Sequence, residues 1–194
     1  MSFIVGLGTG RCGSVSLSKI LSSQDDSYFT HEFGAIPKRW HRTTPFEKEF
    51  AKHIQSGKPF FGDVASYNLE LTKQYLESGV DLKAIILKRD RNEVIESFTA
   101  KAGDRNHWME HDGLWWRRDH WDKCFPNFDA KSIEEAIGLY YDHYYAECKL
   151  LNQSKCFWIE TPDLNNKEMI VTMLTWCGFE NPIVQTFHSN KGGK

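Results

Sequence analysis

A chain of 194 residues with 40% hydrophobic content is long enough to bury one substantial core and short for two, and its net charge of −2 excludes a globally basic surface. One domain spanning residues 1–194 is expected, with a small partner and no nucleic acid, because nothing here tracks an extended phosphate backbone. No uncharged apolar run reaches membrane-spanning length and the opening residues read as a core strand without a basic lead-in, so a soluble, cytoplasmic protein without a membrane span is expected.

Phe3-Ile4-Val5-Gly6-Leu7 reads as a buried strand, and Gly8-Thr9-Gly10-Arg11-Cys12-Gly13 follows it as a glycine turn. Residues 14 to 22 then place Leu17, Ile20 and Leu21 on one helical face, with Ser14 or its neighbour as cap. A strand, a glycine turn and a helix start make a phosphate cradle, since backbone N–H groups and the helix dipole both favour an anion there. Tyr28 to Glu32 is a short strand, Phe46 to Gln55 a helix, Pro59 to Asp63 a strand ending in a carboxylate, and Leu69 to Glu77 a helix.

The strand Leu82 to Leu87 feeds a second basic turn, Lys88-Arg89-Asp90-Arg91. Here Asp90 is placed to cap a new helix and Glu93 to reach back in a capping box. Two anion sites, each after a buried strand, suggest a ligand with two separated phosphates. Residues 103 to 130 break the alternation. They hold Trp108, Trp115, Trp116 and Trp121 among many charges, too aromatic for a disordered linker, and read as an insertion folding over the site. Ser132 to Leu151 is a long amphipathic helix, Cys156 to Ile159 a late strand, and Lys167 to Cys177 a closing helix stopped by Gly178. Strands alternating with helices predict an α/β fold with a central parallel sheet flanked by helices. The five cysteines, Cys12, Cys124, Cys148, Cys156 and Cys177, are odd in number and without CxxC spacing, which points to reduced thiols.

Several phosphate-binding patterns compete for the first turn. A nucleotide triphosphatase loop requires Lys-Ser or Lys-Thr after its second glycine, and Ser14-Val15 stands there instead. A dinucleotide site fits GxGxxG literally, with Glu32 about 20 residues on, yet Arg11 occupies the place where the pyrophosphate must approach and the second basic turn is left without a duty. A phosphatase loop needs its cysteine before the arginine, whereas Arg11 precedes Cys12.

Both turns together match another pattern. The segment Gly10-Arg11-Cys12-Gly13-Ser14-Val15-Ser16-Leu17 resembles the 5′-phosphosulfate-binding loop of the sulfotransferase family. Leu87 to Ser97 resembles that family's 3′-phosphate motif, an arginine after a strand and a serine eight residues later, here Arg89 and Ser97. Trp158 to Leu164 is similar to the family's late strand and acidic turn, and Leu174 to Gly178 to its closing helix; Asn190-Lys191-Gly192-Gly193 faintly resembles a basic glycine segment that some members fold over the 3′-phosphate. The resemblance runs in order over most of the chain and departs at Val15, where a second consecutive hydroxyl is common.

The resemblance implies a P-loop-like sulfotransferase architecture and 3′-phosphoadenosine 5′-phosphosulfate as donor. Arg11, Cys12, Gly13, Ser14, Val15 and Ser16 would hold its phosphosulfate end, and Arg89 and Ser97 its 3′-phosphate. Sulfuryl transfer is then in-line and loose, driven by positioning and by charge stabilisation from Arg11, Ser14 and Ser16. Sulfate carries less charge than phosphate, so no metal is called for. The acceptor is a hydroxyl of a small molecule, carbohydrate or lipid; no residue pattern specifies an oligomeric state. In the carbohydrate and tyrosyl branches a glutamate follows the second strand, which makes Glu32 the first candidate base, His31 the second and Asp63 the third. Without the two loops, Glu32 would read as a solvated strand-end acid and His31 as a core histidine. The rivals are a P-loop-like nucleotide kinase and a catalytically inactive nucleotide-binding module. His107, His111, His120 and Cys124 read as polar insert residues before they read as a metal set. Tyr140, Tyr141, Tyr144 and Tyr145 have helical spacing and read as packing.

Overall fold

Five parallel strands form the centre of the molecule in the computed structural model, which describes residues 2–35, 38–40, 51, 55, 57–102, 106–109 and 121–187. In chain order the elements are β1 (Ser2–Leu7), α1 (Ser14–Ser22), β2 (Ser27–His31), β3 (Phe60–Val64), α2 (Leu69–Glu77) and β4 (Leu82–Lys88). There follow α3 (Arg91–Ala102), α4 (Ile133–Leu150), β5 (Cys156–Glu160) and α5 (Lys167–Cys177). The sheet order is β2-β3-β1-β4-β5 and each neighbouring pair is parallel. The α/β fold read from the sequence is therefore present, with α1, α2 and α5 at the residues predicted for them. The helix expected over 46–55 falls almost wholly outside the described residues.

Helices cover both faces because the central strands are apolar on both faces. Phe3, Val5 and Leu7 of β1 join Ala84 and Ile86 of β4 in one core with residues of α2, α3 and α4. Ile4, Ile85 and Leu87 point the other way, into a second core with α1 and α5. Such double burial is what crossover helices impose on a parallel sheet, and each buried aliphatic side chain stabilises the fold by roughly 1.5–3 kcal/mol. None of the five cysteines is in a disulfide and four are buried, as small apolar members of these layers.

The winding of the chain fixes where a ligand can sit. From β1 the chain passes through α1 on one face to β2; from the adjacent β4 it passes through α3 and α4 on the other face to β5. The crossovers diverge between β1 and β4, which opens a crevice beyond their carboxyl ends, the usual ligand position in open α/β sheets.

Helix α3 begins at the second basic turn, where the N–H groups of Asn92 and Glu93 donate to Asp90 Oδ1 at 2.9 and 3.1 Å. Asp90 caps as expected, but Glu93 does not reach back. Its carboxylate accepts from Arg89 Nε at 2.7 Å instead, a charged donor displacing a neutral backbone one. Among the described residues no helix is long and apolar enough to cross a membrane.

Helix α4 does more than pack. Its tyrosine hydroxyls donate to the carbonyls of Thr9 (Tyr140, 3.1 Å), Arg89 (Tyr141, 2.7 Å), Ser66 (Tyr144, 3.1 Å) and Leu87 (Tyr145, 2.7 Å). The Tyr144 oxygen also accepts the Gly8 N–H at 2.9 Å. Burial raises all four phenols, Tyr141 to about 12, so they remain protonated donors at neutral pH. Tyr144→Phe would leave the Gly8 N–H unpaired and remove one of two donors to the Ser66 carbonyl, which also accepts the Leu69 N–H, while keeping the ring. Urea unfolding should show a loss of about 1–3 kcal/mol. A loss within about 0.5 kcal/mol would mean that water or a neighbour takes over both bonds.

Candidate active site

The turn after β1 is built from left-handed backbone. Gly10 (φ 86°), Arg11 (φ 56°) and Gly13 (φ 89°) lie in a region that L side chains rarely adopt, and Arg11 bears that strain without being glycine. Gly13 starts α1, its carbonyl accepting the Leu17 N–H at 3.0 Å, and no side chain caps the helix. The sequence offered Ser14 or its neighbour as cap; the neighbour Gly13 takes that place, and the Ser14 hydroxyl faces His31.

Sequence reasoning treated the two basic turns as separate anion sites, and the structure joins them. Arg11 Nε donates to Ser97 Oγ at 3.0 Å, and Arg89 Nη1 donates to the Arg11 carbonyl at 2.9 Å. The Thr161 hydroxyl lies 2.6 Å from the Cys12 carbonyl oxygen and 3.0 Å from that of Lys88, which ties the turn after β5 to the other two. Burial, and then the neighbouring Arg89 charge, lower the Arg11 pKa, although a guanidinium remains charged at neutral pH. Two guanidiniums held this close favour an anion as their common partner.

The opposite wall is the end of β2. Glu32 (φ 52°), Phe33 (φ 49°) and Gly34 (φ 77°) are three consecutive left-handed residues. Asp63 holds them there: wholly buried, it accepts from Thr30 Oγ1 at 2.6 Å, the Phe33 N–H at 2.9 Å and Asn68 Nδ2 at 2.8 Å. Asp63 is thus an anchor for the turn, and its place as third candidate base falls because both its oxygens serve structure.

Ser14 Oγ lies 3.0 Å from His31 Nε2, and His31 Nδ1 lies 3.7 Å from Glu32 Oε2. Burial, with Asp63 adding repulsion and Lys101 opposing it, pushes the Glu32 carboxyl up to about 7. Burial and then Lys101 push His31 below its ordinary value. The two shifts run in opposite directions, Glu32 up and His31 down, because burial disfavours the charged form of each.

A cleft of about 1300 Å³ takes in Arg11, Ser14, His31, Glu32, Arg89 and Ser97. Gly13, Val15 and Ser16 border it too, and of the predicted contacts only Cys12 is absent from its lining. The Cys12 side chain is wholly buried, its thiol pushed up to about 11 by burial, so only its backbone belongs to the turn. Ser16 is 6% exposed and donates its hydroxyl to the Phe187 carbonyl at 2.7 Å, because the C-terminal segment runs along α1. Gln24 fixes that segment with paired bonds to Ile183, accepting its N–H at 2.8 Å and donating to its carbonyl at 2.9 Å.

Lys101 escaped the sequence reading. It borders the cleft two turns beyond Glu93 and one beyond Ser97, so the i, i+4 stripe Glu93-Ser97-Lys101 was the signal for it. The described parts of the 103–130 segment bring His107, Trp121 and Phe125 to the rim. Trp108 is instead wholly buried, with ring centroids 4.9 Å from Phe98 and 5.0 Å from Phe125. Trp115, Trp116, His111, His120 and residues 190–193 lie outside the described residues. His107 Nδ1 is 2.7 Å from Asp122 Oδ1 and Cys124 is buried; among the described residues no three His, Cys, Asp or Glu side chains are gathered to hold a metal ion.

The fold has a counterpart among solved structures. The crystal structure of a sulfotransferase from Alicyclobacillus acidocaldarius superposes with a TM-score of 0.55 at 15% sequence identity, over 99% of this chain and 87% of that one. No protein-family model and no curated sequence matches the chain. The likeness is one of fold, that of a five-stranded parallel sheet flanked by helices.

If Asp63 both anchors the turn and repels the Glu32 charge, Asp63→Asn should lower the Glu32 titration from about 7. Carboxyl NMR across the pH range reads this directly. An unchanged or higher value would assign the elevation to burial alone.

Proposed function

We propose that the chain is a sulfotransferase that moves a sulfuryl group from 3′-phosphoadenosine 5′-phosphosulfate to an acceptor hydroxyl. The observation that carries this reading is the junction of the two basic turns, with Arg11 bonded to Ser97 and Arg89 to the Arg11 backbone in one cleft at the switch point. Those are the turns whose sequences resemble the phosphosulfate loop and the 3′-phosphate motif, and the shared fold supports the same reading. The donor supplies an activated sulfuryl group on a phosphate leaving group; this chain's residues bind, orient and exchange protons around it.

Arg89 and Ser97 take the 3′-phosphate. The Ser97 oxygen accepts from Arg11 and keeps its own O–H to donate to a phosphate oxygen. The first turn of α1 and Arg11 hold the phosphosulfate end and meet charge as it builds on the leaving oxygen. Cys12 contributes through the backbone of the turn, since its side chain is buried, and Ser16 borders the cleft with its hydroxyl donated to the Phe187 carbonyl. Glu32 and His31 accept the acceptor's proton. The acceptor, of small-molecule, carbohydrate or lipid type, enters along the rim of His107, Trp121 and Phe125, whose flat apolar faces suit a ring or chain.

Adenosine 3′,5′-bisphosphate should raise the melting temperature more than adenosine 5′-monophosphate, because only the former engages both turns. Stabilisation should reach about 2.7 kcal/mol at ~100 times its dissociation constant. Equal shifts, or a preference for NAD, would remove the sulfotransferase reading.

Turnover depends on ionised Glu32, so kcat/KM should rise with pH through about 7 and flatten above it. Glu32→Gln should lower turnover roughly 10²–10⁴-fold and abolish that limb while bisphosphate affinity survives. Near-normal turnover in the variant would transfer the base to His31.

A further inference from the structure

We propose that the acceptor is itself an anion, a hydroxyl compound bearing a carboxylate or similar negative group that Lys101 binds one helical turn beyond the site of the donor's 3′-phosphate; this rests on the sulfotransferase reading above. Glu93, Ser97 and Lys101 succeed one another at i, i+4 along α3 and all three border the cleft, while Val94 and Phe98 pack into the core. Glu93 meets Arg89 at 2.7 Å and Ser97 meets Arg11 at 3.0 Å. Lys101 stands about 6 Å farther along the helix axis than Ser97.

The charges of the cleft leave this lysine unmatched. Lys88 Nζ lies 3.6 Å from Glu160, Arg89 Nε lies 2.7 Å from Glu93, and Arg91 grips Asp142 through two nitrogens at 3.0 and 2.9 Å. Among the described residues no carboxylate is within ion-pair distance of Lys101, whose side chain is exposed at the cleft. Its charge is felt by Glu32 and His31. Burial first of all pushes the Glu32 carboxyl up to about 7, so near neutrality it is only partly ionised and does not neutralise an ammonium in full. Asp63, the other acid acting on Glu32, is buried and spent on Thr30, Phe33 and Asn68.

The place of this charge decides what it binds. Both phosphates of the donor already have a cation, Arg11 for one and Arg89 for the other. Lys101 acts on the two candidate bases, so it stands where the acceptor hydroxyl gives up its proton. An anionic acceptor must approach a donor that is itself negative, and a cation on the acceptor's side offsets that repulsion; a neutral acceptor needs none. The cleft of about 1300 Å³ exceeds the roughly 300–1,000 Å³ of a site for one small ligand, and Trp121 and Phe125 supply flat surface for the ring or chain that links hydroxyl to anion. An ammonium on a flexible stem, in place of a guanidinium fork, suits an anion without fixed bidentate geometry.

The test uses the full chain and matched acceptors that differ only in charge: hydroxyphenylacetate against hydroxyphenylacetamide, and glucuronate against glucuronamide. With the donor site filled by adenosine 3′,5′-bisphosphate, calorimetry should show at least one acid binding roughly 3–30-fold more tightly than its amide, and turnover with 3′-phosphoadenosine 5′-phosphosulfate should show the same ratio in KM. Lys101→Gln, with folding verified by its melting transition, should bring that ratio close to one and leave bisphosphate affinity in place, whereas Lys101→Arg should preserve the ratio. Because Lys101 acts on Glu32 and His31 whichever acceptor is bound, the ratio isolates its contact with the anion. Acids that bind no better than their amides, a ratio that survives Lys101→Gln, or a bisphosphate affinity that falls in that variant would each overturn the proposal while the donor-site reading stands. If bisphosphate does not bind at all, the donor-site reading fails and the anionic acceptor fails with it.

Discussion

The carboxyl ends of β1, β3 and β4 must leave the sheet as irregular loops beside a buried core, and their backbone groups need partners there. Helix α4 provides them. Four tyrosine hydroxyls reach the carbonyls of Thr9, Ser66, Leu87 and Arg89, and one also receives the Gly8 N–H. An unpaired buried backbone group costs about 1–3 kcal/mol, so these bonds decide whether the loops hold one geometry. A phenol suits this duty because its ring fills the apolar layer and its oxygen stands at the layer's edge. The glycine turn, the basic turn and the β3 end are thereby referenced to one rigid element.

On that frame the site concentrates like charges on one wall and titratable groups on the other. Arg11 and Arg89 approach each other across a carbonyl, with Glu93 taking part of the Arg89 charge in the structure described here. An incoming phosphate would meet two guanidiniums and one serine already in register, at little ordering cost. Opposite them, Asp63 spends its hydrogen-bonding capacity on holding three left-handed residues, and the turn it holds presents Glu32 in a half-buried position beside His31. Strain at Arg11, Glu32 and Phe33 is confined to the two walls that face each other across the cleft.

The fold was legible because its signals are local. Apolar runs marked β1 and β4, Gly178 marked the end of α5, and Asp90 marked the start of α3, each through the backbone chemistry of a few neighbouring residues. The identity of both basic turns was equally local. What the sequence did not show is which partner a side chain chooses when several are within reach. Glu93 prefers Arg89 to a backbone N–H, Ser16 prefers Phe187, far along the chain, and Ser14 faces His31 rather than capping its own helix. The tyrosines show the same limit, since helical spacing told of packing and only the tertiary structure shows where the hydroxyls go. Trp108 looked like a stacking surface by composition and is core, because aromatic content does not reveal which side of a segment faces inward.

The central claim is that the two basic turns embrace one ligand through two separate phosphates. A crystal structure with adenosine 3′,5′-bisphosphate tests it most directly. The account predicts the 5′-phosphate against the first turn of α1 and Arg11, and the 3′-phosphate between Arg89 and Ser97. A nucleotide engaging only one of the turns, or seated away from the ends of β1 and β4, would contradict it.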